Sequence, residues 1–174
     1  MDDKLKDIFS IVNDWLKFAE AKAATLIAAN AGLIFGVSRL ISTFEIKGIL
    51  LAYLLLTITL CALSLAICLF SFIPALDMPW EKKPSGTNES DNLLFFGHIA
   101  KYTPSAYLEK LATSLGLSNM EFNGFHKNLS DQIIINSVIA NKKYNYFKNS
   151  IWLTLAALAS PVVALIILWM KKNK

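Results

Sequence analysis

The hydrophobic residues of this chain gather into three long runs separated by polar stretches. The central run, residues 49–73, contains no charged residue and exceeds the ~20 apolar residues that carry a helix across a bilayer core. Lipid offers no water to backbone amides and carbonyls, so such a run must satisfy its own, and it reads as a spanning helix. The last run, residues 151–170, is also uncharged and is bracketed by Trp152 and Trp169. At a rise of ~1.5 Å per residue the two indoles stand roughly 25 Å apart, as an aromatic belt at both interfaces would. The first run, residues 23–44, holds Asn30, with Lys22 and Arg39 near its ends. Long basic side chains can carry their charge to the headgroups, so this run is read as a span as well. A cleaved signal peptide fits poorly, because the stretch ahead of it is long and holds Asp2, Asp3, Asp7, Asp14 and Glu20.

Within residues 1–22, Leu5, Ile8, Phe9, Val12, Trp15, Leu16 and Ala19 recur at helical spacing among Asp and Lys. This predicts an amphipathic helix that runs straight into the first span. Inside that span small residues return every fourth position as Ala24, Ala28, Gly32 and Gly36, a stripe that lets another helix approach closely. It is read as a helix-packing face whose partner is the second span, the third span or another copy of the chain.

Between the second and third spans, residues 74–150 are read as a linker followed by a helical module. Pro74 and Pro79 stop the second helix, and residues 81–92 are polar and linker-like. Asp91 is placed to cap a helix running through Tyr102, and Thr103-Pro104 opens another that stops near Gly116. Ser118 or Asn119 starts a third, carrying Phe122, Phe125, Leu129, Ile133, Val138 and Ile139 on one side. Nothing interrupts that pattern before the third span, so one long helix is expected to join the two. The fold class is an all-α membrane protein: three transmembrane helices with a helical cytoplasmic insert between the second and third.

Charge adds an orientation. With the N-terminus and residues 74–150 in the cytoplasm, that side holds Lys4, Lys6, Lys17, Lys22, Lys82, Lys83, Lys142, Lys143 and Lys148. The far side holds Arg39, Lys47, Lys171, Lys172 and Lys174, and the excess of basic residues belongs inside. The net charge of +4 is read as basic residues holding to anionic headgroups of the lipid bilayer, not as binding nucleic acid. Cys61 and Cys68 both fall in the second span, where neither a disulfide nor a metal site is expected.

Catalytic groupings are scarce. His98 and His126 are the only histidines, the acids of the insert are scattered, and no Walker loop or GxGxxG occurs. No enzyme, cofactor or metal is expected. Ser64 and Ser160 are read as bonding a carbonyl one turn back in their own helices. Ser160-Pro161 removes one helical hydrogen bond in the third span, which makes it either a hinge or a static bend. Lys22 has Phe18 and Leu26 one turn away on either side, so it needs a partner from outside its helix: a lipid phosphate, a carboxylate or a ligand phosphate.

The stretch from Asp14 to Ala23 (DWLKFAEAKA), leading into a span with Asn30, resembles the leading helix of the Pycsar transmembrane effectors. A second likeness is Phe95-Phe96-Gly97-His98-Ile99, and the order of spans, insert and the basic stretch 141–148 extends it over nearly the whole chain. The family's acid-x-Lys-Ala element falls on Glu20, Lys22 and Ala23, and its aromatic-Gly element on Phe96 and Gly97. The resemblance implies a role in bacterial anti-phage defence. A cyclase makes a cyclic pyrimidine mononucleotide, cyclic CMP or cyclic UMP, on infection, and the effector impairs the inner membrane and arrests growth by abortive infection; the chain itself is read as a homo-oligomer. The only arginine, Arg39, lies on the far side, so a phosphate site must draw on Lys22, Lys101, Lys142, Lys143, His98 or backbone amides near Gly97. Phe96, Tyr102 and Tyr107 are read as core rings that could otherwise stack a base. The competing reading is a constitutive small membrane scaffold or channel subunit without nucleotide input; an adjacent cyclase gene or a transporter operon would separate the two.

Overall fold

In the computed structural model, which describes residues 1–73 and 86–173, five helices follow one another with no strand among the described residues. They are α1 (Asp2–Thr43), α2 (Ile49–Phe70), α3 (Phe96–Ile99), α4 (Pro104–Ser114) and α5 (Gly124–Lys172). By length and composition α1, α2 and α5 can each cross a membrane, which makes this an all-α membrane protein with three spans and a helical insert. Pro74, Pro79, Lys82, Lys83, the linker as far as Pro84 and Ser85, and Lys174 lie outside the described residues.

The chain divides into two compact units, Met1–Glu20 with the described part of Pro74–Tyr144, and Ala21–Ile73 with Asn145–Lys174. Both α1 and α5 contribute residues to each.

The first unit has a water-soluble kind of core. Leu5, Ile8 and Val12 of α1 meet Ile99, Tyr102, Tyr107, Leu108 and Leu111 from the α3–α4 region and Ile133 and Ile134 of α5. Spacings of three and four place these residues on single helix faces, and each fully buried Leu or Ile adds about 1.5–3 kcal/mol of transfer free energy. Local chemistry sets the helix ends. Thr103 caps α4 by accepting the Ala106 amide, with Pro104 in its first turn. At its far end Gly116 takes φ +72°, while Leu117 N–H donates to the Ala112 carbonyl and Gly116 N–H to that of Thr113. This is the Schellman arrangement, which needs a left-handed residue at that point.

Two helix starts differ from the sequence expectation. The helix expected from Asp91 through Tyr102 is reduced to Phe96–Ile99. Asp91 instead accepts the Asn88 amide at 2.8 Å, and Asn92 Oδ1 accepts the Leu94 amide at 2.9 Å. Such local side-chain bonds hold the backbone in turns and compete with a helix. The long helix begins at Gly124, not at Ser118 or Asn119, because Asn123 is its cap: Asn123 Oδ1 accepts the His126 amide (2.9 Å) and His126 Nδ1 accepts the Asn123 amide (3.3 Å). The pair is a capping box with an imidazole in the place of a Glu or Gln side chain.

The second unit is inverted. Leu54, Thr57, Cys61, Ser64 and Cys68 are the buried residues of α2, whereas Leu55, Leu56, Leu63, Leu69 and Phe70 are exposed, as are Trp152 and Trp169 of α5. Ser150, Thr154, Ala157 and Ser160 of α5 and Asn30 of α1 bond across to α2's buried seam, and Ala164 of α5 and Ala23 and Leu26 of α1 are buried as well. Small and polar residues inside with large apolar ones outside suit lipid, where close backbone approach and not hydrophobicity joins helices. Ala24, Ala28, Gly32 and Gly36 are all exposed, and a Cβ at Gly32 or Gly36 would meet nothing within 4 Å. Of the partners the sequence left open, α2 and α5 of the same chain therefore do not cover that stripe.

Candidate functional site

Around α3 the first unit assembles an aromatic group. The Phe96 ring, 5% exposed, stacks on Tyr144 with centroids 4.9 Å apart and planes 17° from parallel. Trp15 lies 5.6 Å from Phe96 and 6.2 Å from Tyr144. The segment around Trp15 and the Phe-Phe-Gly-His run, far apart in sequence, thus meet in one cluster. Phe95 folds back beside Phe96 (4.7 Å) and edge-on to His98 (5.3 Å). A Cβ at Gly97 would come within 2.7 Å of the Phe95 ring, so the glycine is what allows that ring its place. Burial raises the Tyr144 hydroxyl pKa above the ordinary phenol value. Beside the cluster Lys143, with its side chain only 13% exposed, pairs with Glu20 at 3.1 Å.

A polar group adjoins it. Asp91, with its side chain 3% exposed, bonds Lys101 Nζ at 2.9 Å and accepts the Tyr102 hydroxyl at 3.1 Å. The Asn88 amide first, and then the Lys101 and Tyr102 hydrogen bonds, hold its carboxyl down at about 2. The Tyr102 hydroxyl is raised, by burial first and then by the same carboxylate. His98 Nδ1 accepts the Asn92 amide at 2.9 Å, which leaves the imidazole proton of the neutral ring on Nε2. Tyr102 and Tyr107 belong to the core, and buried Tyr107 donates to the Leu93 carbonyl at 2.8 Å. Elsewhere in this unit His126 Nε2 reaches Asp2. A groove of about 390 Å³ is lined chiefly by Ile11, Leu94, Leu111 and Leu115, with Lys4 and Asp7 as its charged groups. None of the sequence-predicted ligand residues lines it.

Of those residues, Phe96, Gly97, His98, Lys101, Lys142 and Lys143 fall in the first unit and Lys22 in the second. Lys22 sits with its Nζ 5.7 Å from the centre of the Phe147 ring, a partner from α5 that supplies a cation–π contact. Glu20, two residues earlier, is directed to Lys143 instead.

The sequence reading missed the polar seam of the second unit. Asn30 donates to Ser64 Oγ and accepts from Thr154 Oγ1, both at 3.0 Å, and Ser64 and Thr154 lie 2.9 Å apart. Ser64 donates to the Ser150 carbonyl of α5 at 2.8 Å, not to its own helix. The sequence reading has this hydroxyl bonding a carbonyl one turn back in α2; instead three helices converge here and offer partners on α1 and α5. A second layer joins Thr57 to Ser160 at 2.7 Å. Ser160 also bonds the Ala157 carbonyl in its own helix at 3.1 Å. Helix α5 continues through Pro161. The signal in the sequence was the recurrence of Thr57, Cys61, Ser64 and Cys68 at steps of three and four in a run otherwise rich in Leu and Ile. Among the described residues no three His, Cys, Asp or Glu side chains gather as metal ligands.

Three apolar helices joined by a polar seam, with a separate helical unit built on α3, α4 and the ends of two of the spans, define a small multi-span membrane protein. The Pycsar effector protein domain matches residues 4–170 of the chain, and the chain belongs to that family. It is thereby an effector of anti-phage defence. No curated protein matches the chain, and neither does any solved structure.

Proposed function

We propose that this effector responds to cyclic CMP or cyclic UMP made by a partner cyclase during infection, and impairs the bacterial inner membrane so that growth stops before phage matures. Membership of the effector family over residues 4–170 is the observation that carries the reading, and three helices of membrane-spanning length and composition support it. The N-terminus and residues 74–150 are taken as cytoplasmic from the basic-residue count, and the working unit as a homo-oligomer. The nucleotide's phosphate is assigned to lysines of the first unit, Lys101, Lys142 and Lys143, beside His98 and the Phe96-Gly97 element. Lys101 and Lys143 are held by Asp91 and Glu20, so a cyclic phosphate would have to compete with a carboxylate. That exchange of partners is a means for ligand to alter helix packing.

The test is a potassium diffusion potential, set with potassium inside and sodium outside, across liposomes carrying the purified protein and followed with a voltage-sensitive dye. Its collapse on adding one of the two nucleotides supports the reading. A potential that holds with both overturns it. Lys101→Ala and Lys143→Ala should each weaken the nucleotide response by about tenfold, the loss of one charge-assisted contact; full responses in both would remove these lysines from the site.

A further inference from the structure

We infer that the seam among α1, α2 and α5 in the second unit is a closed path for water and small monovalent cations, and that its opening is the membrane impairment proposed above, on which this inference rests. The seam carries two polar layers: Asn30, Ser64 and Thr154 with the Ser150 carbonyl, and Thr57 and Ser160 with the carbonyls of Ala157 and Tyr53. Seven residues of α2 separate Ser64 from Thr57, roughly 10 Å along the helix. Fully buried Cys61 lies between the layers and fully buried Cys68 beyond the first.

The chemistry of this lining selects its occupant. Hydroxyl, amide and carbonyl oxygens face the seam, and no charged side chain is among its buried residues. The hydroxyls and the Asn30 amide can donate as well as accept, but the carbonyls of Ser150, Ala157 and Tyr53 only accept, and such oxygen dipoles without a carboxylate favour a partly dehydrated cation over an anion yet hold it weakly enough to let it leave. Ser150 Oγ, wholly buried, has no hydrogen-bond partner among the described residues. A hydroxyl left so in an apolar interior is unfavourable, and water entering the layer would satisfy it.

The outer face argues in the same direction. Leu55, Leu56, Leu63 and Leu69 of α2 and Leu155, Leu158, Leu165 and Ile166 of α5 are exposed. These spans lack the cationic polar face with which a helix lies in the bilayer plane and disorders it. Interhelical hydroxyl contacts in lipid stabilise only modestly, so a seam built from them can part while the outer face stays in lipid.

The natural cysteines report on the seam. Proteoliposomes are treated with cyclic CMP or cyclic UMP while potassium and chloride fluxes are followed. Modification of Cys61 and Cys68 by a water-borne, membrane-impermeant methanethiosulfonate is measured in parallel. The control is Leu63→Cys, on the lipid face, in a Cys61→Ala, Cys68→Ala chain. The expected result is a potassium flux exceeding that of chloride by at least about tenfold, with modification of the seam cysteines rising together with the flux and the control unmodified. Flux with both seam cysteines unmodified, or equal passage of potassium and chloride, would overturn this inference and leave the effector reading standing. No flux with either nucleotide overturns both.

Discussion

The hydroxyl of Thr57 lies 3.3 Å from the carbonyl of Ala157, on a different helix, and that carbonyl is the one Pro161 leaves without its helical donor. Four residues before a proline a helical carbonyl loses its N–H partner, and in lipid no water replaces it. Here Thr57 and Ser160 supply the replacement. Thr57→Val is expected to destabilise the folded protein in detergent micelles by about 1 kcal/mol, near the upper range for such contacts. In a Pro161→Ala background, where residue 161 regains its N–H, the same substitution should cost less than half as much. Equal costs in the two backgrounds, measured by reversible unfolding, would mean that Thr57 does not compensate for the proline.

The start of α5 depends on Asn123 and His126. Losing an Asn cap costs about 1 kcal/mol, and Asn123→Ala should speed amide hydrogen exchange at residues 124–127 while leaving residues 150–160 unchanged. His126→Gln can still accept the Asn123 amide and should exchange more slowly at these sites than His126→Ala. Identical exchange in all three variants would refute the capping assignment.

Asp91 gives the first unit a pH dependence of definite sign. Its carboxyl titrates at about 2 in the folded chain against an ordinary 3.8, so the unfolded chain takes up its proton at higher pH than the folded one. The stabilisation is therefore fully present above about pH 4 and is lost as pH falls from there through about 2. Asp91→Asn should lower the midpoint of thermal unfolding at pH 7 and flatten its decline between pH 4 and 2. An unchanged slope in that window would sink the assignment.

Gly97 and Phe95 form a coupled pair. Gly97→Ala places a methyl 2.7 Å from the Phe95 ring, and forcing a group into such a space typically costs about 1–3 kcal/mol. Phe95→Ala removes the obstacle, so Gly97→Ala should be tolerated in that background. A double-mutant cycle on thermal stability that shows simple additivity would contradict the coupling.

The spans and much of the insert were legible because their causes are local. An uncharged run longer than a bilayer is thick has few options in lipid or water. The Thr103-Pro104 start and the Gly116 stop of α4 each follow from residues within a few positions of the helix end. The helix from Asp91 and the start at Ser118 were misjudged where two local motifs competed. The Asp91 and Asn92 side chains drew the backbone into turns, and the Asn123–His126 box is not the usual Ser/Thr with Glu.

The sequence by itself determined that this chain lies in a membrane, roughly where its helices run, and that it resembles the family to which it belongs. Hydrophobic length and short motifs are properties of contiguous residues. Only the tertiary structure decided which faces of those helices meet. Ala24, Ala28, Gly32 and Gly36 read as a packing face with the second span, the third span or another copy as partner; within the chain that face is exposed, and the buried residues of that stretch are Ala23, Leu26 and Asn30. In lipid a stripe of small residues and a seam of small polar ones can both pack closely. The choice falls to hydrogen bonds among Asn30, Ser64 and Thr154, whose partners lie on three different helices and are invisible to any one of them.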